Sequence, residues 1–279
     1  MFETALPVSR NEYVLKQALH FKDSGKDATS ADRQARAYSV VTALGYGLTP
    51  RLALFGVIPF GHKTLESGPT GARVKRSSTG LGDIRLFGRY TVFQQDGLGT
   101  TFRILPFAGL KLPTGDNNKR DRLGRLPPRT QSGSGSWDVF AGLVATYATT
   151  VWQLDGQASY QLNTRANGFE AGNVLQAGFS FQYRLNSHNS EGETAGFFQR
   201  AVGVYGILEA NLRTTGRDMV TGVENLNSGG TVFFLLPGLQ FETGRWIFDV
   251  AVQIPAYQDL YGTALEEGPT FRTGIRANF

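Results

Sequence analysis

Three histidines, His20, His62 and His188, bound what catalysis this chain can offer. A hydrolase of this size needs a nucleophile, a histidine and an orienting polar group within reach of one another. His20 and His62 fall near one rim of the strand pattern described below, and His188 falls in a turn at the other. Ser39 is the strand serine nearest to His20, but it lies at mid-strand. No triad follows, so the expectation is a protein that is not an enzyme. There is no cysteine, and no His/Asp/Glu cluster has the spacing of metal ligands. No metal or cofactor is expected. The glycine-rich G-S-G-S-W-D at 133–138 is not a phosphate loop, because no Lys-Ser/Thr pair and no helix follow.

Charge remains. Arg85, Arg89, Arg103, Lys111, Arg184, Arg213, Arg272 and Arg276 share one parity of their segments with Asp83, Asp138, Asp155, Glu209 and Asp249. Eight cations against five anions make a mildly anion-favouring surface. Two readings stay open and do not exclude each other. One is a ladder of opposite charges paired across strands. The other is the lining of a selective pore.

Those charges are positioned by a period-two pattern, the signature of strands with one apolar and one polar face. It recurs about twelve times. Segments 11–22, 34–47, 52–62, 81–93, 101–112, 136–148, 151–163, 173–185, 200–213, 230–242, 245–256 and 269–279 each carry it, except that 230–242 is apolar at both parities. Short connections near 48–51, 94–100, 148–151 and 243–244 alternate with longer ones near 23–33, 63–80, 113–135, 164–172, 214–229 and 257–268. The connection 186–199 breaks the alternation. Short turns on one rim and long loops on the other are what outer-membrane barrels show. The last strand, P-T-F-R-T-G-I-R-A-N-F, ends on Phe279 at its apolar parity. Left as an edge it would invite pairing with other chains, so it is expected to close onto the first strand.

Two checks place lipid outside. Trp137 and Tyr147 sit at the two ends of one apolar face, about 25 Å apart along a tilted barrel axis. Trp152 and Tyr160 repeat the arrangement, and Tyr183 and Trp246 extend the expected aromatic girdle. The mid-strand charges Arg85, Arg89, Arg103, Asp155, Glu209 and Asp249 all avoid the apolar face, where an Arg costs about 2–4 kcal/mol. Pro59, Pro106, Pro237 and Pro255 fall inside strands and each removes a ladder hydrogen bond. Bulges are expected at Pro106 and Pro237, nearest mid-strand, with a possible lateral gap in the wall.

Composition excludes other classes. No apolar run approaches the length of a membrane helix. The net charge of +5 is small for a nucleic-acid binder. The basic loop 113–135 holds Lys119, Arg120, Arg122, Arg125 and Arg129 against Asp116 and Asp121. It suits an inward constriction, a lipopolysaccharide contact, or a solvated loop. The fold class is therefore all-β: a transmembrane antiparallel up-and-down barrel of about twelve strands. One domain is expected over 1–279, with 1–10 a periplasmic N-terminal segment.

The segments Y-G-L-T-P-R-L-A-L (46–54), L-G-D-I-R-L-F-G-R-Y (81–90), K-L-P-T-G-D (111–116), G-S-G-S-W-D (133–138) and V-Q-I-P-A-Y (252–257) carry a resemblance. They resemble the outer-membrane transporter family of the meta-pathway of phenol degradation, from about residue 38 to the end. The final strand likewise resembles the signal, ending here in Phe279, by which such barrels are recognised for insertion. The resemblance implies a Gram-negative outer-membrane channel for passive uptake of small solutes, hydrophobic or aromatic compounds first. The partners implied are outer-membrane lipid and lipopolysaccharide, the barrel-insertion machinery and a small solute. The alternative is a non-transporting barrel that is scaffold or sheath for a protein partner.

Overall fold

The computed structural model describes residues 8–69, 72–186 and 203–279. The alternating segments become strands β1 (Tyr13–Ser24), β2 (Gln34–Gly47), β3 (Leu52–Ser67), β4 (Val74–Leu81), β5 (Arg85–Tyr90), β6 (Phe93–Gly97) and β7 (Thr100–Lys111). A short hairpin of β8 (Arg120–Asp121) and β9 (Gly124–Arg125) follows, then a 3-10 turn at Pro128–Thr130. The chain continues through β10 (Asp138–Thr149), β11 (Trp152–Leu162), β12 (Phe169–Glu170), β13 (Val174–Arg184) and β14 (Gly203–Thr215). Two-residue strands β15 (Met219–Val220) and β16 (Val223–Glu224) precede β17 (Gly230–Thr243), β18 (Trp246–Leu260) and β19 (Glu267–Asn278). Both sides of the irregular connection at 186–199 are placed, but most of it, with His188, lies outside the described residues.

Each wall strand pairs antiparallel with its neighbours, and β19 returns to β1 from Val14↔Asn278 to Lys22↔Thr270. Phe279 and Tyr13 exchange backbone hydrogen bonds of 2.8 and 2.9 Å at the seam. The sheet is closed into a twelve-stranded barrel in which β4, β5 and β6 share one wall position.

The side chains on the two parities are sorted as in a membrane barrel. Leu19, Leu54, Leu86, Leu143, Phe179, Leu208 and Phe248 are exposed, while Thr146, Asp155, Ser180, Glu209 and Asp249 are buried. Two contacts fix which parity faces inward. Arg85 Nη2 donates to Gln161 Oε1 at 2.9 Å, although β7 and β10 lie between their strands. Arg213 Nη2 meets Glu267 Oε1 at 2.6 Å across β17 and β18. A bond that skips two strands crosses the interior, so the charged parity is the inner one. The ambiguous segment resolves too. On β17, Val232, Phe234 and Leu236 are buried and inward, with Leu235 and Leu239 exposed outward.

The prolines behave differently from one another. At Pro59 the register of β3 shifts by one residue between its pairing with β5 and with β4. Opposite Pro106 the shared wall strand is interrupted between β5 and β6, while β7 keeps unbroken register with β10. The freed groups are taken up locally, with Thr91 N–H donating to Arg51 O at 2.8 Å and Val92 N–H to Ile104 O at 3.1 Å. Pro255 accompanies a bulge in β18, which turns Tyr257 outward. The bulge expected at Pro237 is not there, since its pairs with β14 run without a shift. A proline whose nitrogen falls where a ladder bond is not needed costs the wall nothing.

The connection expected as a loop over 63–80 is mostly strand, because β3 and β4 extend to within a few residues of each other. Above Leu81, β4 pairs with β3 alone. The paired residues Phe60 and Leu81 are the last exposed apolar ones on the outer side of this hairpin, and beyond them His62, Thr79, Ser77 and Lys75 follow on the same side. The unpaired edge therefore stands in water, where solvent satisfies it. The ladders at Pro237 run without a shift, whereas opposite Pro106 the strand is interrupted and β6 pairs with β7 alone.

Arginine introduced at Leu143, exposed midway along β10, should cost about 2–4 kcal/mol when urea unfolding is followed in lipid vesicles. The same change at Gln157, inward on β11, should cost much less. Equal costs at both would reverse the facing of the wall.

Candidate lumenal site

The predicted inner charges separate into groups. Asp83, Lys111 and Asp138 lie together at one rim, with Lys111 paired to both carboxylates. Asp83 accepts from the Gly115 N–H at 3.1 Å, the Ser134 N–H at 2.8 Å and the Ser134 hydroxyl at 2.6 Å. Asp138 accepts from the Thr164 N–H at 2.9 Å. Asp83 thus ties the basic loop after β7 to the wall, and Asp138 ties the loop after β11. Arg213 is engaged by Glu267. Asp155 accepts from the Gln153 amide at 2.9 Å and from the Thr146 hydroxyl. Arg103 meets Asp96 at 3.5 Å near a short turn, and Arg276 donates to Asn278 at 3.1 Å. Arg184 lies 5.9 Å from the Tyr205 ring centre. Glu209 is buried, and Asp249 packs where a side chain on Gly274 would otherwise stand. Arg272 stands in register between His20 and Ala251.

Arg85 and Arg89 have a setting that charge patterning alone did not show. They flank Phe87 on β5, and all three point inward. Phe55 and Phe87 stack at 5.1 Å with an interplanar angle of 11°. Phe87 meets Phe140 at 5.9 Å and Phe107 at 6.2 Å. The Arg89 guanidinium lies 4.5 Å above Phe55 and 5.4 Å from Phe87, and that of Arg85 lies 5.5 Å from Phe140. Glycines opposite make this ledge possible. Phe55 pairs with Gly45, Phe87 and Phe140 with Gly109, and Phe107 with Gly142. A Cβ on Gly45 or Gly142 would come within 2.5 Å of a ring atom. The rings therefore lie flat along the wall instead of across the lumen. The legible signal was inward-parity Phe facing inward-parity Gly, a pairing visible only once register is known.

The long loops are tied into a lid. Asp218, buried, accepts from Arg129 Nη2 at 2.7 Å and from the Gly172 N–H at 3.0 Å. Arg76 holds Asp121 at 2.8 Å, and Arg125 donates to Asn167 O at 3.2 Å. β12, β15 and β16 form a small sheet over the same rim. Beneath lies a cleft of about 290 Å³ whose lining includes Lys63, Lys111, Arg125, Arg129 and Asp83. On the other side of the rim Asp27 grips Arg33, and Arg33 donates to Thr263 O at 2.6 Å. At the opposite end Val8 is buried in a small cavity with Phe55, Arg89 and Leu105.

The expected girdle residues Trp137, Tyr147, Tyr160, Tyr183 and Trp246 are exposed and Trp152 is half-buried. Tyr147 contacts Trp152 at 5.3 Å, Tyr13 contacts Tyr46 at 4.8 Å, and Trp246 contacts Phe279 at 6.5 Å. All stand at the end of the short turns, where Arg245 lies 5.3 Å from the Phe279 ring. Of the three histidines, His20 and His62 are among the described residues. His20 stands opposite Ser39 in register without a hydrogen bond between them, and both ring nitrogens of His62 bond threonine hydroxyls. No metal-binding group of acidic and histidine side chains occurs among the described residues.

A closed wall, an apolar outer belt and a polar interior define a transmembrane β-barrel of the bacterial outer membrane. The chain belongs to the family described as "Putative MetA-pathway of phenol degradation", whose model matches residues 22–255. Among solved structures it is similar to an outer-membrane channel from Pseudomonas putida F1, at 15% identity and a TM-score of 0.70, covering 99% of this chain and 97% of that one. The β domain of the Bordetella autotransporter BrkA gives 12% identity and a TM-score of 0.51, covering 96% and 100%. The NanC porin gives 10% identity and 0.51, covering 94% and 98%. Curated protein sequences give no match. At these identities the likeness is one of fold.

The lid ties carry two expectations. Asp218→Asn should free the 163–173 and 216–229 loops, read as faster amide hydrogen exchange there than in β13 and β14. The Arg33 guanidinium bonded to Asp27 holds its carboxyl well below the usual carboxylate range. A depressed folded value means that the tie contributes fully above the unfolded pKa of about 3.9 and is lost as pH falls through the lower folded value. Exchange in 25–33 should therefore stay slow down to pH 4 and rise only in stronger acid; a rise near pH 6 would show that another group holds the loop.

Proposed function

We propose that this barrel is a passive outer-membrane channel for small solutes, with aromatic and hydrophobic compounds its first class. The observation that carries the reading is the phenylalanine ledge. Inward-facing rings are costly company for a purely aqueous path, yet four are laid side by side on glycines in one sector of the lumen. Apolar side chains exposed toward a lumen favour solutes that cover them. The cationic cleft under the lid lies directly beyond, since Lys111 pairs in register with Arg85. Such a path receives a solute under the lid and passes it along the ledge toward the periplasmic end. Family membership fits uptake of aromatic compounds. Catalysis has no residues to carry it in this reading.

Purified protein in a planar lipid bilayer should give discrete openings, with an anion preference in the reversal potential under a salt gradient. Arg85→Glu and Arg89→Glu should move that potential toward cations. A silent bilayer, together with no swelling of protein-loaded liposomes in small aromatic solutes, would refute transport through the lumen and leave a barrel that is scaffold or sheath for a partner.

A further inference from the structure

The Arg85 side chain is exposed although it is inward, so the space it faces is the lumen. Its guanidinium carries five N–H donors in a planar fork. One goes to Gln161, a neutral acceptor, at 2.9 Å. The group also lies over the Phe140 ring at 5.5 Å. Phe140 in turn meets Phe87 at 5.9 Å and 65°, and Phe107 at 6.5 Å and 55°. These three rings are only partly buried. Tilted rings around a common space offer edges and faces to a further ring, the arrangement aromatic pairs prefer.

The electrostatics around this point favour an anion. Lys111 is the register partner of Arg85, and Lys63 lines the cleft just beyond. The two nearest carboxylates, Asp83 and Asp138, are already committed to Lys111, to Ser134 and to backbone N–H groups of the loops. Three cations against two engaged carboxylates leave the fork the natural partner of an incoming acid. Glycine at 109 and 142 keeps the rings against the wall, so the space before the fork is not filled by them. Arg suits this better than Lys, because its fork matches a carboxylate with two parallel bonds and its plane stacks on rings.

We propose that Arg85 and the ledge of Phe87, Phe107 and Phe140 form a binding subsite for small aromatic carboxylates. The ring of the ligand packs on Phe140 and Phe87, and its carboxylate takes the outer edge of the Arg85 fork. The subsite gives the channel reading a substrate class and rests on that reading for transport, though not for binding. It also explains a cation beside apolar rings on an inner wall: each half alone recognises only part of such a ligand.

The test is binding to the purified full-length protein in detergent micelles, measured by calorimetry with benzoate, benzyl alcohol and cyclohexanecarboxylate. Benzoate should bind tightest. Arg85→Gln should weaken benzoate at least about tenfold, the lower bound for losing a charge-assisted fork, and leave benzyl alcohol unchanged. Arg85→Lys should restore part of the loss. Phe140→Leu should weaken benzoate and leave cyclohexanecarboxylate nearly as before. Heat-modified gel migration checks that each variant is a folded barrel. Equal binding of benzoate and benzyl alcohol, or an Arg85→Gln variant that binds benzoate like the parent, would overturn the subsite. The two readings fail separately. Benzoate binding with a silent bilayer and no liposome swelling removes transport and keeps the subsite, whereas a conducting channel whose current benzoate does not block, and which does not bind it, removes the subsite alone.

Discussion

The hydrocarbon core offers no water to an unpaired backbone group, so the wall must satisfy every N–H and C=O from within. The β1–β19 seam is where this chain meets that demand, and the rest of the structure depends on it. Closing the sheet there fixes register all the way round, and register fixes facing. A slip of one residue at any ladder would turn Leu, Phe and Tyr inward and Arg, Asp and Glu into lipid. The wall shifts register at a few places, one of them at the loop end of the seam itself, between Lys22 and Ser24. At Pro59 and opposite Pro106 backbone donors find nearby carbonyls, and at Pro255 the bulge lies close to the loop rim. Among the described residues, β4 pairs with β3 alone beyond the outer apolar belt, and β6 pairs with β7 alone at the short-turn end.

Register also decides how the interior is filled. Glycine facing phenylalanine across a ladder recurs at 45 and 55, at 109 with 87 and 140, and at 142 and 107. Each pair swaps the volume of one side chain for a ring lying down. Replacing those glycines by residues with bulk would drive the rings off the wall and across the lumen. The opposite sector is built differently. Leu236 is wholly buried, Val232 and Phe234 nearly so, and Arg213 is locked over Phe234 by Glu267. One wall is smooth and aromatic, and the other is packed and salt-bridged.

Much of this was legible in the sequence, for a physical reason. A strand that separates lipid from a polar interior must alternate, so the two faces could be read from parity, and the aromatic residues and mid-strand charges then chose which face meets lipid. The seam could be read from the apolar terminal strand, and the aromatic ends of the wall from Trp137 and Tyr147. What escaped was whatever depends on a neighbour. The Phe–Gly pairs are far apart in sequence and meet only through register. Asp83 and Asp138 looked like lumenal charges because their parity is inward, yet they are spent on loop amides. Asp218 drew no notice in a loop, though it is the buried acceptor that joins three loops. Segment 230–242, apolar on both parities, could not be faced until its partners were known.

These commitments sort the charges into two kinds, and the sorting bears on selectivity. Carboxylates at the loop rim are consumed in holding the lid, and Glu267 is consumed by Lys22 and Arg213. An anion bonded to backbone amides and a lysine repels a passing anion far less than a bare one, because its charge is locally compensated. Arg85 is bonded instead to a neutral amide, so its charge is uncompensated by that bond. A formal excess of three inner cations thus understates the pull at the ledge. The packed sector opposite, with Val232, Phe234 and Leu236 buried, offers no comparable exposed rings. At the ledge a neutral aromatic compound meets only the rings, and a simple anion only the fork. On the proposed subsite, a ligand with both features would meet the whole site, so that proposal assigns selectivity to the aromatic sector rather than to net charge.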